Sequence, residues 1–263
     1  MRKYLMAAAM LFCTAPAYAA YPLFTDDTGT QGAGCWQVEF NTAFSRSSET
    51  EGGVSFKERE GEATTVFSYG VAKRMDIVVG LPYQWYQNRE DQLVTADESG
   101  IGDMTVELKW RCFEEEKNGF SLALKPGISL PTGDADKGLG IGRVTGGAVL
   151  IATKESGPLT LHANAGYHRN AYDRDEDDAA SNKDIWSASV AGEYALSEKL
   201  RAVADIGIET AEEKGAQTHP SFIVGGLIYS VTENFDFDLG IKGGLNDAEP
   251  DTTMLLGVAA RFN

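Results

Sequence analysis

The sequence predicts an all-β protein, a transmembrane antiparallel up-and-down β-barrel of about 12 strands, and three observations carry that reading. Apolar residues recur at every second position through most of the chain, short and long connections take turns, and all four tryptophans fall on the apolar phase of their segments. Alternating segments of roughly ten residues, even in number, with short turns on one side and long loops on the other, form the pattern of a barrel that crosses a bilayer.

The chain begins as an exported one does. Arg2 and Lys3 precede an apolar run over residues 5–13, and Ala17-Tyr18-Ala19 has the small-x-small pattern of a signal-peptidase site. Residues 1–19 are therefore expected to be a cleaved signal peptide. Phe12 stands before Cys13 where a lipoprotein needs a small residue, so no lipid anchor is expected. Cleavage leaves 244 residues and moves the net charge from −16 to −18. So acidic a chain offers no basic face to nucleic acid. No later stretch reaches the roughly 18 apolar residues of a spanning helix. Cys35 and Cys112 remain, too few for a disulfide scaffold.

Residues 20–35 form a polar lead, expected at the periplasmic mouth or in the lumen. Within it Asp27-Thr28-Gly29 matches the active-site triplet of aspartic proteases, and with Thr30 it resembles the phosphorylated loop of ion-pumping ATPases. A protease needs a second aspartate loop to share a proton with the first, and the sequence has no other DTG or DSG. A pump needs a cytoplasmic nucleotide-binding domain, which an exported chain of this size cannot contain. Asp and Gly here favour a turn.

From Trp36 to residue 263 the barrel itself is expected. Trp36, Val38, Phe40, Thr42 and Phe44 alternate with Gln37, Glu39, Asn41 and Ser45. Met75 to Trp85 and Met104 to Cys112 repeat this strand period, as do residues 120–130, 159–167, 186–196, 200–208, 235–245 and 254–262. Residues 63–71, 147–153 and 222–231 are strand-like but less cleanly phased. Short turns are expected at residues 72–74, 114–118, 154–158, 197–199 and 232–234. Long polar loops are expected at 46–61, 87–102, 132–143, 169–184, 210–219 and 246–252. The short turns then face the periplasm and the long loops the cell exterior. Threaded so, Trp36 and Trp110 lie near the short-turn end and Trp85 and Trp186 near the long-loop end, as two bilayer interfaces favour. A soluble barrel would alternate too, but with its apolar face inside.

Five segments, YPLFTDDTGTQGAGCWQVEF, YGVAKRMDIVVGLPY, GIGDMTVELKWRCF, SLPTGDADKGLGIG and LTLHANAGY, together resemble the outer-membrane transporters assigned to phenol degradation by the MetA pathway. The resemblance covers nearly the whole mature chain. It implies a barrel in the outer membrane of a Gram-negative bacterium that passes small, often aromatic or apolar, compounds passively. The expected partners are outer-membrane lipid, a small-molecule solute and, during biogenesis, the barrel-assembly machinery and periplasmic chaperones. One departure is the terminus: such barrels end on an aromatic residue, whereas Phe262 is followed by Asn263.

The polar phase supplies the candidate functional residues. Glu39, Glu107, Lys109, Arg111, Lys125, His162, Asn164, Arg201, Asp205 and Lys242 are expected to line a pore. Counting Glu62, Asp76, Asp103, Glu193, Glu209, Asp236, Asp238 and Arg261, inward acids outnumber inward bases ten to six, so a water-filled path should mildly prefer cations. Glu107 with Lys125, and Glu193 with Arg201, are expected as cross-strand pairs that narrow the lumen.

No catalytic residue, cofactor or metal is expected. GLGIGRVTGG leads into strand rather than a helix, against a nucleotide loop. Asp173, Asp175, Asp177 and Asp184 have calcium-loop spacing, but Asp178 stands where glycine belongs. His162 and Asn164 invite comparison with the outer-membrane phospholipase, whose chemistry sits at the lipid-facing surface, whereas His162 faces inward. Cys35 and Cys112 fall on non-adjacent strands and are expected as two free thiols. Besides a passive channel, two other functions suit such a chain: a non-conducting structural or adhesive barrel, and an outer-membrane hydrolase.

Overall fold

The computed structural model describes residues 21–262; the expected signal peptide, residues 1–19, lies outside them. Thirteen strands follow one another: β1 (Trp36–Glu51), β2 (Val54–Ala72), β3 (Met75–Glu90), β4 (Leu93–Ile101), β5 (Met104–Glu115), β6 (Phe120–Leu130), β7 (Thr145–Ser156), β8 (Leu159–Arg169), β9 (Asp184–Ala195), β10 (Leu200–Glu209), β11 (Ser221–Thr232), β12 (Phe235–Gly244) and β13 (Thr252–Phe262). Each pairs antiparallel with its neighbours, and β1 pairs with β13, which closes the sheet. Pairing all the way round the wall is the condition for a sheet to cross hydrocarbon.

The wall has twelve positions because β4 and β5 share one. The lower part of β3 pairs with β5, Met75 opposite Trp110 and Gly80 opposite Thr105, while its upper part pairs with β4, Tyr83 opposite Ile101. Gly102 and Asp103 interrupt what is otherwise one strand. Two of the expected long loops are therefore wall. Residues 46–61 extend β1 and β2 to a tight turn at Gly52 and Gly53, and residues 87–102 extend β3 and form β4. These extensions are polar on both faces, so period two vanishes from the sequence although the backbone continues.

Burial is inverted relative to a soluble barrel. Leu227, Leu239 and Leu256 sit side by side on β11, β12 and β13, and Leu239 is 50 % exposed. Asp238, the next residue, is 3 % exposed. Asp76, Lys109, Glu193, Asp205 and Asp236 are also buried, while Phe40, Ile77, Trp110, Leu150, Ile206 and Phe237 are exposed. Such a ring of outward hydrophobics belongs against lipid. Trp36 packs on Tyr69 at one end, and Trp85 and Trp186 pack on Tyr83 and Tyr167 at the other.

The remaining long loops fold over the outer mouth. Asp103, at the break between β4 and β5, accepts backbone N–H bonds from Gly133 at 2.9 Å and Ile141 at 2.8 Å, which draws residues 131–144 inward and buries Leu139. The acidic run forms a six-residue helix, α1 (Asp175–Ala180). Its carboxylates turn to separate cations, Asp178 to Lys183 and Asp177 to Arg174, while Asp173 meets Arg143 and Asp184 meets Arg169. Cys112 is free and exposed. Cys35, buried immediately before β1, is not a free thiol, which corrects the expectation of two free thiols.

The threading makes a direct prediction. On a Cys112→Ser background, Glu176→Cys should label with a membrane-impermeant maleimide in intact cells, because its side chain is 90 % exposed at the long-loop end. Glu198→Cys, in a short turn, should label only after the outer membrane is breached. The reverse pattern would invert the barrel.

Candidate functional site in the barrel lumen

Residues 21–35 run up the inside of the barrel before the chain turns into β1, and polar wall side chains receive them at successive heights. Nearest β1, Gln31 N donates to Asp76 at 2.9 Å, and Arg111 Nη2 donates to Thr30 Oγ1 at 3.3 Å. Thr28 bonds Thr153 at 3.1 Å and Ser121 at 2.5 Å. Further in, the Asp205 carboxylate accepts three bonds, from Phe24 N at 2.7 Å, Thr25 N at 2.8 Å and Thr25 Oγ1 at 2.7 Å. Leu23 packs in a buried cluster with Ala191, Val203 and Ile228; burying such a side chain stabilises by about 1.5–3 kcal/mol. Asp27 Oδ1 accepts from Gly29 N, so the protease-like triplet is a turn in the lumen.

The wall is shaped for this segment. A Cβ placed on Gly226 or Gly240 would come within 2.7 or 2.8 Å of Pro22 Cγ, and one on Gly70 would strike Gly32 O at 1.7 Å. All three glycines lie on the inner phase, where larger side chains would close the groove.

Asp26 is the centre of the assembly. Lys109 Nζ donates to its Oδ1 at 2.8 Å and Lys125 Nζ to its Oδ2 at 2.9 Å. In the amide orientation that satisfies both atoms, Asn164 accepts from Asp26 N at 2.7 Å and donates to Asp26 O at 3.0 Å. Burial alone would raise the Asp26 carboxyl, but the two lysines outweigh it and hold the group below the ordinary carboxylate range. Lys109 also lies 3.5 Å from Asp27, and Lys125 lies 3.1 Å from Glu107.

The other wall residues form separate groups. His162 bonds Thr153 through Nδ1 at 3.0 Å and approaches Glu193 through Nε2 at 3.3 Å. Glu193 continues to Arg201 at 2.7 Å, and Asp236 holds Arg261 at 2.8 Å and Arg201 at 3.5 Å. Asn164 bonds the lead segment instead of His162, so no Ser-His-Asn relay forms on these residues. Glu39 accepts from Gln37 at 2.7 Å and Asn41 at 3.4 Å. Arg111 reaches Glu114 at 3.2 Å. Lys242 pairs with Glu249 and lies 4.8 Å from the Phe24 ring centroid.

Two neighbouring cavities share part of their lining. The inner, about 280 Å³, is bounded by the lead segment and by Val66, Val78 and Lys109. The outer, about 340 Å³, is bounded by Ile141, His168 and Asn170. Thr105, Glu107 and Lys125 line both.

This architecture can be placed among known proteins. The model of the family described as "Putative MetA-pathway of phenol degradation" matches residues 23–262. The chain belongs to this family. No curated protein matches the sequence. Among solved structures it is similar to an outer membrane channel from Pseudomonas putida F1, with a TM-score of 0.68 at 15% identity, over 90% of this chain and 98% of that one. It is also similar to the translocator domain of the autotransporter NalP from Neisseria meningitidis, with a TM-score of 0.57 at 13% identity over 88% and 89% of the two chains. The NanC porin gives 0.55 at 9% identity over 85% and 98%. At these identities the likeness is one of fold, that of outer-membrane β-barrels.

In this member of the phenol-degradation family, several residues that organise the lumen were not singled out by sequence reasoning. Asp26, Thr25, Thr28 and Gln31 sit in an aperiodic stretch that names no partner. Ser189, on β9, shares a hydrogen bond with the Thr25 hydroxyl at 2.7 Å. The available sign was the run of inner-phase glycines, which leaves room for something to lie against the wall.

Proposed function

We propose that this protein is an outer-membrane channel for passive passage of small solutes, aromatic or apolar ones among them. The observation that carries this reading is the pair of neighbouring cavities that share Thr105, Glu107 and Lys125 inside a wall whose charges point inward. Glu39, Glu107, Lys109, Arg111, Lys125, His162, Asn164, Arg201, Asp205 and Lys242 are its pore-lining residues, with Glu107 and Lys125 lining both cavities. The apolar flank of the inner cavity, Leu23, Phe24, Val66 and Val78, suits the hydrocarbon part of a solute. The family assignment supports the same class, and so does the Pseudomonas putida F1 channel as a fold relative.

A second reading, a barrel that never conducts, draws support from the lead segment, which is bonded to the wall from Phe24 to Gln31. Planar-bilayer recording separates the two, since insertion without conductance steps removes the channel. In a conducting protein Lys125→Ala is expected to leave Glu107 unpaired beside both cavities and to move the reversal potential across a salt gradient toward cation selectivity. An unchanged potential would take Lys125 off the path. Uptake of phenols, aromatic acids and sugars by outer membranes with and without the protein then ranks the solutes.

A further inference from the structure

We infer that the Lys109–Lys125 pair is a binding site for the carboxylate of a small organic acid, and that Asp26 occupies it as a resident stand-in. The inference rests on the channel reading for its physiological sense but not for its chemistry.

Three observations lead to it. First, the Asp26 carboxylate is held as a ligand would be, one oxygen on each Nζ, by lysines of two adjacent strands. Carboxylate recognition by two converging cationic donors is strong and geometrically selective. Second, both lysines face the inner cavity, whose mostly polar lining carries an apolar and aromatic patch of Tyr21, Leu23, Phe24, Val66 and Val78. A carboxylate bound between the ammonium groups would lay its hydrocarbon body against Val66 and Val78, which belong to the wall and stay when the segment leaves. Third, the segment that carries Asp26 joins the wall through a turn at Gly32 and Gly34, whose φ angles of 84° and 85° suit glycine, so Asp26 reaches the lysines from a lead segment and not from the wall itself.

Charge arithmetic sets the ligand class. With Asp26 withdrawn, the wall carboxylate at bonding distance from the two lysines is Glu107, 3.1 Å from Lys125; Glu39 and Asp76 line the same cavity without pairing with either lysine, and Asp27, 3.5 Å from Lys109, leaves with the segment. Among the directly paired groups one positive charge remains, matched by one monovalent anion. A neutral solute that displaced Asp26 would leave a buried ammonium unpaired, which is costly. An organic carboxylate exchanges like for like. Lys125 also borders the outer cavity, so an acid arriving from outside meets it before reaching Asp26. The pair thereby distinguishes an ionised aromatic acid from an un-ionised phenol of the same size.

The test is calorimetric titration of the purified, detergent-solubilised protein with sodium benzoate, and with benzyl alcohol as the neutral counterpart. Asp26→Asn removes the resident carboxylate while keeping its shape and should bind benzoate about tenfold more tightly than the wild type. Benzyl alcohol should bind neither with that gain. Lys109→Met with Lys125→Met should abolish the benzoate signal; because that double variant alters the wall, the Asp26→Asn result is decisive by itself. Equal benzoate affinity in wild type and Asp26→Asn, or an equal gain for benzyl alcohol, overturns the inference. Conductance is recorded on the same preparations. A protein that conducts but shows no benzoate gain loses the acid site and keeps the channel. One that shows the gain but never conducts keeps the site and loses the channel.

Discussion

Replacing residues 22–31 with glycine and serine in equal number is expected to raise single-channel conductance by on the order of tenfold. Twelve strands spaced about 4.8 Å apart and tilted by about 40° enclose a wall of roughly 12 Å radius, and ion flow scales with the cross-section left open. In the native chain much of that section is filled by Leu23, Phe24 and the Asp26 node, anchored to Asp205, Lys109 and Lys125. The replacement should also lower the temperature at which the barrel loses its compact mobility on SDS gels. The backbone donors to Asp205 survive the replacement, but the Asp26 bonds to Lys109 and Lys125 and the packing of Leu23 are lost, and each hydrogen bond removed is worth about 1 kcal/mol. A variant that folds and conducts no better than the wild type would show that the segment does not restrict the path.

Asp236→Ala should be the most destabilising single substitution among the lumen charges. The carboxylate is 1 % exposed and lies between Arg261 and Arg201. Removing one partner of a buried ion pair costs about 3–5 kcal/mol. The lower end is expected, because Arg201 keeps Glu193 and Arg261 keeps Gln37. The measurement is the urea midpoint for unfolding from lipid bilayers. Asp236→Asn, which can still accept from arginine, should lose clearly less. If Asp236→Ala shifted the midpoint no more than Asp134→Ala in an exposed loop, the network would not be holding β9 to β13 together.

The wall was legible because the bilayer and the lumen impose opposite demands on successive residues. Leu239 must be apolar and Asp238 can be charged, and that contrast is visible at period two. It was illegible in the upper parts of β1 to β4, where both faces meet water. Arg46, Ser47, Ser48 and Glu49 read as a loop although each has a cross-strand partner. Glu107 with Lys125, and Glu193 with Arg201, were expected as pairs and lie at bonding distance. That Lys109 and Lys125 converge on Asp26 could not be read, since nothing in an aperiodic stretch specifies its partners.

The route of the lead segment also dictates an order of events. Its side chains and backbone find their partners on β5, β6, β8, β10 and β12, from Lys109 to Gly240. The groove for Pro22 does not exist until β12 lies beside β11, close to the last step of the chain. What is synthesised first is thus seated last, and until then Asp26 and its neighbours remain in water.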